Sequence, residues 1–359
     1  MKQFLKFAAM KKTLLALLVF LVQAFVSQAQ IRYEIPFPQP LEHRKDTFKV
    51  FLIGDVMMHS RQMEYDHRYF LKELKAEMES SDLCVANMEF TVAGKPYSGY
   101  PCFSAPEYYP QYITECGADV LLLANNHILD RGTEGLDRTL DFYRELCAST
   151  GASTTGIGGT PLLTGSEGWR IAFINFTYGT NDRSDSRVNY MDTSVVRKSI
   201  ESAKQSGADF IIALPHWGNE YQLRHSGEQQ SWAEWLVGCG VDAIVGSHPH
   251  VIQDTTHIQG VPVIYSMGNA VSNMSAPNTR LELAVTLTFA NTPQGKRMLE
   301  PELELLWCTL PGTLTGSYCT IPIKKWANRR SDWLIKSDFD NMISTAERVL
   351  RETGIDFSY

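Results

Sequence analysis

The chain has 359 residues, 44% of them hydrophobic and 20% charged, which fits one large or two ordinary globular domains and excludes a disordered polymer. Its formal net charge is −7, and the first 29 residues hold four lysines and no acid, so the remainder is more acidic still. That excludes a general nucleic-acid binder, which needs a basic face, but not a protein that holds a small anionic substrate through a metal.

In chain order, the first feature is a targeting signal. Lys11 and Lys12 precede an apolar run from Leu14 to Val26, broken by Gln23. Ser27-Gln28-Ala29 then offers small residues for cleavage before Gln30. Residues 1–29 are expected to be a cleavable signal peptide, with translation able to begin at Met10, and residues 30–47 a linker. An uncleaved anchor is the alternative, although the run is short for a membrane span. No cysteine follows the run, which disfavours a lipoprotein anchor. The expected location is the periplasm or cell envelope.

Beyond the linker, apolar runs alternate with amphipathic stretches. The strand candidates are Phe48–Ile53, Leu83–Ala86, Val120–Ala124, Ile171–Phe176, Phe210–Leu214, Ala243–Val245 and Val261–Tyr265. Apolar throughout, they read as strands covered on both faces. Helices are expected over Gln62–Glu79, Leu136–Cys147, Val195–Gln205 and Glu228–Val237. This alternation predicts an α/β fold. Gly151–Gly159 and Gly179–Ser186 read as loops. After residue 280, Leu281–Phe289 and Glu302–Leu310 read as strands joined by a turn, Asn291 to Lys296. A helix around Asp338–Arg351 follows. Residues 281–359 are thus expected to add an edge hairpin and a helix to the domain formed by residues 48–280.

The seven cysteines are odd in number, irregularly spaced and without a C-x-x-C pair, which disfavours zinc-finger and redox chemistry. Cys84, Cys116 and Cys239 read as small buried residues. Cys308 and Cys319 flank a Pro-Gly turn and could pair across a hairpin in an oxidising compartment.

The informative pattern is at the strand ends. Six runs lead into polar clusters: Gly54-Asp55; Asn87-Met88-Glu89; Asn125-Asn126-His127 with Asp130; His216-Trp217-Gly218-Asn219-Glu220; Ser247-His248-Pro249-His250; and Ser266-Met267-Gly268-Asn269. In α/β sheets the carboxyl ends of the strands form the ligand crevice, so these segments are expected to converge. In His248-Pro249-His250 the residue before proline is pushed to extended backbone, so both imidazoles are expected to face one metal. The alternatives are a turn with two part-exposed histidines here, an Asx turn at Asp55, a helix cap at Asn125–His127 and a satisfied core histidine at His216. Glu89, beside an apolar run, needs a cation or an ion-pair partner. Imidazole, carboxylate and amide donors together suit Mn, Fe or Zn, as one ion or two. Such ions activate water and clamp the oxygens of a displacement, while a nearby histidine protonates the leaving group.

Gly54-Asp55-Val56-Met57, Asn87-Met88-Glu89, Asn125-Asn126-His127-Ile128-Leu129-Asp130, His216-Trp217-Gly218-Asn219-Glu220-Tyr221, His248-Pro249-His250-Val251 and Tyr265-Ser266-Met267-Gly268-Asn269 stand in the order found in the bacterial capsule-synthesis CapA family (PGA_cap, poly-γ-glutamate capsule biosynthesis). The resemblance covers roughly residues 48 to 275. That family is similar to the calcineurin-like metallophosphoesterases, which implies a four-layer α/β/β/α sandwich with mixed sheets.

Carried over by position, the resemblance implies metal-site roles for Asp55, Glu89, Asn126, His216, His248 and His250, with Glu89 bridging. It implies that His127 is an acid supported by Asp130, and that Trp217, Glu220 and Tyr221 wall the pocket, with Asn87 and Asn269 also counted as substrate-binding. The chain departs from the pattern in two places. Phosphoesterases have an Asp-x-His pair, whereas Val56 and Met57 follow Asp55 here and His59 comes two positions late. Ala270 stands where family members often have an aromatic residue. One metal position is therefore expected to be poorly filled or absent.

The resemblance implies an exported metal-dependent hydrolase acting on an anionic extracellular polymer or its precursor, alongside membrane-embedded capsule-synthesis proteins. The competing readings are a non-catalytic polymer-binding accessory and a scaffold whose motifs only stabilise loops.

Overall fold

A computed structural model describes residues 46–166 and 168–356. The segment expected to be a signal peptide and most of the expected linker lie outside the described residues.

The first half of the chain forms β1 (Thr47–Val56), α1 (Lys75–Ser80), β2 (Leu83–Met88), α2 (Tyr108–Glu115), β3 (Val120–Leu122), α3 (Gly132–Thr150), β4 (Ser153–Thr155), β5 (Leu162–Thr164) and β6 (Ile171–Thr177). Then come α4 (Thr193–Gln205), β7 (Phe210–His216), α5 (Gly227–Gly238), β8 (Ala243–Val245), β9 (Thr255–Ile258) and β10 (Val261–Ile264). The last part contributes β11 (Leu281–Thr292), β12 (Gly295–Met298), β13 (Glu302–Thr309), β14 (Cys319–Pro322), α6 (Ile323–Trp326) and α7 (Lys336–Thr353).

Two mixed sheets result. The first has the order β14-β13-β11-β1-β2-β3-β4, with β12 paired to β11; the second has the order β5-β6-β7-β8-β10-β9. β1 to β4 are mutually parallel, as are β6, β7, β8 and β10.

The period-2 alternation of strand side chains divides the core into layers. Phe48, Val50 and Leu52 of β1 meet Ile171, Phe173, Ile212 and Leu214 of the second sheet in one inter-sheet core. Their neighbours Phe51 and Ile53 face outward onto Met78, Tyr109, Ile113, Leu136 and Tyr143 of α1, α2 and α3. On the far side, Ala172, Ile174 and Ile211 pack on Val196, Ile200, Ala233 and Leu236 of α4 and α5. This is the expected α/β/β/α sandwich. α7 fills the inter-sheet layer beside β11 and β13 with Phe339, Met342, Ala346 and Val349. Asp192 caps α4, accepting from the backbone of Ser194 and Val195, and Ser226 with Gln229 forms a capping box on α5.

Several expectations are corrected. The helix expected over Gln62–Glu79 is two 3-10 turns, Ser60–Glu64 and His67–Tyr69, with α1 only at its end. Aromatic packing overrides the helical spacing there: His67 stacks on Tyr108, and Tyr65 and Phe70 meet Tyr318 edge-on. Leu281–Phe289 is not part of an edge hairpin, because β11 is hydrogen-bonded to both β1 and β13. The turn expected at Asn291–Lys296 is tighter, and β12 begins inside it. The loop Gly151–Gly159 contains β4. Cys308 and Cys319 do not pair: Cys308 is opposite Thr320 and Cys319 opposite Thr309, so their side chains point to opposite faces of the sheet. Both are free and buried, one in each neighbouring core layer.

At the carboxyl ends of the strands the sheets are stitched together by backbone. Asp55 donates its amide to Gly268 O at 2.9 Å, Ala270 donates to Asp55 O at 2.9 Å, and Met57 donates to Val271 O at 2.9 Å. The approach is so close that a Cβ on Gly54 would sit 2.0 Å from Gly268 O. Gly54→Ala is expected to lower stability by about 1–3 kcal/mol, the usual cost of overpacking. Gly238→Ala, where a Cβ meets nothing within 4 Å, is expected to change it by under about 1 kcal/mol. Urea denaturation of both variants checks the contrast; equal midpoints would refute it.

Candidate metal centre

The parallel strands deliver their polar ends to one place. A register shift between Ile53 and Asp55 interrupts the β1–β2 ladder, and such irregularities re-aim side chains. Asp55 is fully buried and each of its oxygens accepts a hydrogen bond: Oδ1 from Asn87 Nδ2 at 2.7 Å, and Oδ2 from the His248 amide at 3.2 Å. Oδ2 also lies 3.3 Å from His250 Nδ1.

Glu89 follows β2, its amide donating to Val56 O at 3.1 Å. Its carboxylate lies between imidazoles, with Oε1 3.5 Å from His216 Nε2 and Oε2 3.7 Å from His250 Nδ1. Among the described residues, neither oxygen has a hydrogen-bond partner. A buried carboxylate in that state is costly unless a cation completes it.

Two groups of buried ligand atoms share Glu89. Glu89, His216 and His248 form one, and Asp55, Glu89 and His250 the other; within each, the candidate donor atoms lie within 4.8 Å of one another. Asn126 Oδ1 adjoins the first, 2.8 Å from His216 Nε2. Asn87 Nδ2 lies 3.2 Å from His216 Nδ1, and Asn269 Oδ1 lies 2.9 Å from His250 Nδ1. The oxygen and imidazole donors fit a first-row divalent ion. The unpartnered oxygens of Glu89 and the unpartnered Nδ1 of His248 are the observations that fit one here.

The electrostatics follow from burial and charge. Desolvation raises the Glu89 carboxyl well above its ordinary range, and the neighbouring Asp55 adds to that. Burial would also raise Asp55, but the hydrogen bond and charge of His250, with help from His216 and Asn87, bring it below the usual value. Burial pushes His216 down to about 3. It pushes His248 well below its ordinary value too, with His216 and His250 adding to the effect. For His250 the carboxylates of Glu89 and Asp55 outweigh burial and raise it to about 10.

His127 stands at the edge of the cluster. Its Nδ1 is 2.7 Å from Asp130 Oδ2, which also accepts from the Phe103 amide at 2.8 Å. The Phe103 ring meets His127 edge-on at 4.7 Å. The carboxylate thus fixes the orientation of the imidazole and leaves Nε2 free for proton transfer.

Two site expectations are corrected here. His248 and His250 are not extended: their φ angles are 101° and 57°, and the segment bends so that the two rings reach Glu89 within different groups. Left-handed backbone at non-glycine residues is strained and persists only where neighbours enforce it. Trp217 does not wall a pocket, because it is fully buried and donates Nε1–H to Tyr265 O at 2.9 Å. Asn87 and Asn269 are buried as well and orient cluster side chains. Glu220 and Tyr221 are exposed at the rim. His59 stays outside both groups, its Nδ1 3.0 Å from Gln62 Oε1; burial and the charges of His250 and His127 push it to about 4, against its bond to Gln62.

Three further residues bear on the site. Tyr178, after β6, lays its ring 4.6 Å from that of His248. Asn181, in the loop after β6, hydrogen-bonds to Asn126 and Asp130. Glu282 on β11 accepts the Gly54 amide at 2.7 Å and is wholly buried. The signal for Glu282 was present: it is a lone acid in the run Leu281-Glu282-Leu283-Ala284-Val285. Asn181 carried none, being one polar loop residue among many.

Burial raises Glu282 to about 8, against the Gly54 hydrogen bond and with a small push from Asp55. The folded state therefore holds a proton here that the unfolded chain releases near pH 4.5, so stability falls as pH rises from about 4.5 to 8. The slope is up to about 1.4 kcal/mol per pH unit. In chelator, Glu282→Gln is expected to flatten the melting temperature over this range relative to the unsubstituted chain. Parallel curves would refute the assignment.

Over residues 49–274 the chain matches the family described as bacterial capsule synthesis protein PGA_cap. It is 29% identical over 267 residues to capsule biosynthesis protein CapA of Bacillus anthracis, covering 67% of this chain and 64% of that protein. It is 30% identical over 190 residues to PGA biosynthesis protein CapA of Bacillus subtilis (strain 168), covering 51% and 50%. The chain thus spans less than two thirds of the length of either relative. A solved structure of the calcineurin-like phosphoesterase YfkN from Bacillus subtilis aligns over 86% of this chain and 99% of its own, at TM-score 0.47 and 13% identity.

Proposed function

The chain belongs to the bacterial capsule synthesis protein family PGA_cap, and on that premise we propose that it is an exported, metal-dependent hydrolase. Its proposed substrate is an anionic extracellular polymer of the poly-γ-glutamate type, or a precursor of one, handled beside membrane-embedded synthesis proteins at the cell envelope. Among the described residues no helix is long and apolar enough to cross a membrane.

The observation that carries this reading is the carboxylate of Glu89, buried and shared by two groups of donors with neither oxygen hydrogen-bonded. Glu89, Asn126, His216 and His248 would hold one divalent ion (Mn, Fe or Zn), and Asp55, Glu89 and His250 a second. Ions of that class, when bound, polarise the bond to be cleaved and acidify water. The protein's own part is to orient and to move protons. Asn87 holds the Asp55 carboxylate in place, and Asn269 does the same for the His250 ring. His127, braced by Asp130, gives the proton from Nε2 to the departing atom. Tyr178 and Tyr221, about half exposed at 48% and 52%, border the opening where a polymer would enter.

A second reading, a polymer-binding accessory without catalysis, is favoured by one observation. Met57, at the position of the Asp-x-His histidine, is buried in the core, so the Asp55 group lacks that ligand.

Metal analysis of the purified chain, with turnover of a generic phosphodiester, tests the proposal. Bound Mn, Fe or Zn is expected, and His248→Ala is expected to weaken metal binding at its own group and to lower turnover by about 100-fold, the upper range for losing even a ligand's supporting group. A metal-free protein with turnover unaffected by His248→Ala would sink the hydrolase. Polymer binding that survives chelator, with no turnover, would support the accessory instead.

A further inference from the structure

We infer that Asn181 is a positioning residue that sets the polarity of the candidate centre, turning the oxygen of the Asn126 amide inward. The inference rests on the reading that this centre takes divalent ions.

An asparagine amide presents an oxygen and a nitrogen of nearly the same shape, and only the oxygen can bind a cation. Something outside the centre must therefore engage the nitrogen. Asn126 Nδ2 donates to Asn181 Oδ1 at 3.2 Å, which leaves Asn126 Oδ1 beside His216 Nε2 at 2.8 Å. Asn181 is a primary amide too, so its own orientation needs a reference, and Asp130 supplies it. Asn181 Nδ2 donates to Asp130 Oδ1 at 3.2 Å and lies 3.1 Å from His127 Nδ1. An ionised carboxylate can only accept. Reversing Asn181 would set oxygen against the Asp130 carboxylate and a donor against the Asn126 donor. The polarity thus runs from Asp130 through Asn181 to Asn126, and joins the candidate acid dyad to the candidate ion site.

The backbone supports the same contact, with the Asn181 amide donating to Asn126 O at 3.1 Å. The loop does not depend on the Asn181 side chain. Tyr178 N donates to His216 O at 2.9 Å, Thr177 Oγ1 donates to Gly179 O at 2.9 Å, and Arg187 Nε donates to Asp185 Oδ1 at 2.9 Å. Asn181 itself is exposed, whereas Asn126, His127 and the Asp130 carboxylate are buried. Replacing it should therefore leave the fold intact.

The test uses the full chain and Mn2+ in calorimetric titrations. Asn181→Ala is expected to weaken Mn2+ binding by about 10- to 100-fold, the usual effect of removing a ligand's supporting partner. In an Asn126→Ala background the same change is expected to cost less than about twofold, because the two residues act as one unit. Wild-type affinity in Asn181→Ala, or an equal loss in both backgrounds, would overturn the inference.

A second measurement needs no metal. In the metal-free protein, the side-chain amide protons of Asn126, assigned by their loss in Asn126→Ala, are expected to exchange with solvent faster in Asn181→Ala. Unchanged exchange would overturn the inference. Failure of the wild type to take up Mn2+ would fault the preceding reading alone, and this exchange rate would then decide the role of Asn181.

Discussion

A carboxylate with no donor to satisfy it is the constraint around which this site is organised. Glu89 is wholly buried, its two oxygens lack hydrogen-bond partners among the described residues, and imidazole nitrogens lie 3.5 and 3.7 Å away. Holding an ionised carboxylate in such surroundings costs several kcal/mol unless a cation compensates it. The surrounding features make sense against that cost. His216, His248 and His250 come from two different strand ends and approach Glu89 in two different groups. Bringing two histidines of one tripeptide to one carboxylate requires backbone that ordinary residues avoid, at about 1–3 kcal/mol each. Close packing, the Asp55 contact with the His248 amide and the Tyr221 amide on Pro249 O hold that backbone in place.

The sandwich makes this convergence possible because its sheets meet at the carboxyl ends of their parallel strands. Gly54 and Gly268 allow the backbones to touch, and the resulting hydrogen bonds set the depth of Asp55. Asn175 adds a second tie, accepting the Ala124 amide at 2.8 Å and donating to Leu214 O at 2.9 Å. The cluster is therefore assembled from rigid strand ends in both sheets, which keeps donor positions well defined. The exposed rings of Tyr178 and Tyr221 lie outside this framework.

Much of this was legible in the sequence, for a physical reason. Strands covered on both faces must be apolar along their length, so β1, β2, β3, β6, β7, β8 and β10 stood out as runs. A polar cluster directly after such a run has few places to go except the strand-end crevice, and the family resemblance then picked out Asp55, Glu89, Asn126, His127, His216, His248 and His250 within those clusters. What failed depended on tertiary context. The conformation of His248-Pro249-His250 was set by convergence on Glu89, not by the local preference of a residue before proline. The resemblance implied a wall role for Trp217, but alternation along the chain carries it into the outer core. The 3-10 turns before α1 answer to Tyr108 and Tyr318, which lie far away in sequence. Asn181 became visible only through its contacts.

The two halves of the candidate centre are not equivalent, and the difference bears on the missing histidine. Asp55 has both oxygens engaged, by Asn87 and by the His248 amide, and it pairs with His250, whose ring is raised to about 10 by the two carboxylates. A protonated His250 beside Asp55 is an internally neutralised pair, so the Asp55 carboxylate has a counter-charge within the chain. The other half has no charged imidazole of its own. Burial holds His216 and His248 neutral, Asn126 offers an oxygen, and Glu89 is left without a donor. A cation bound among Glu89, Asn126, His216 and His248 would meet no charged imidazole there, whereas His250 already offsets the Asp55 group. An apolar Met57 where the Asp-x-His histidine would stand falls on the Asp55 group. The absent histidine and the charge of His250 thus fall on the same candidate group.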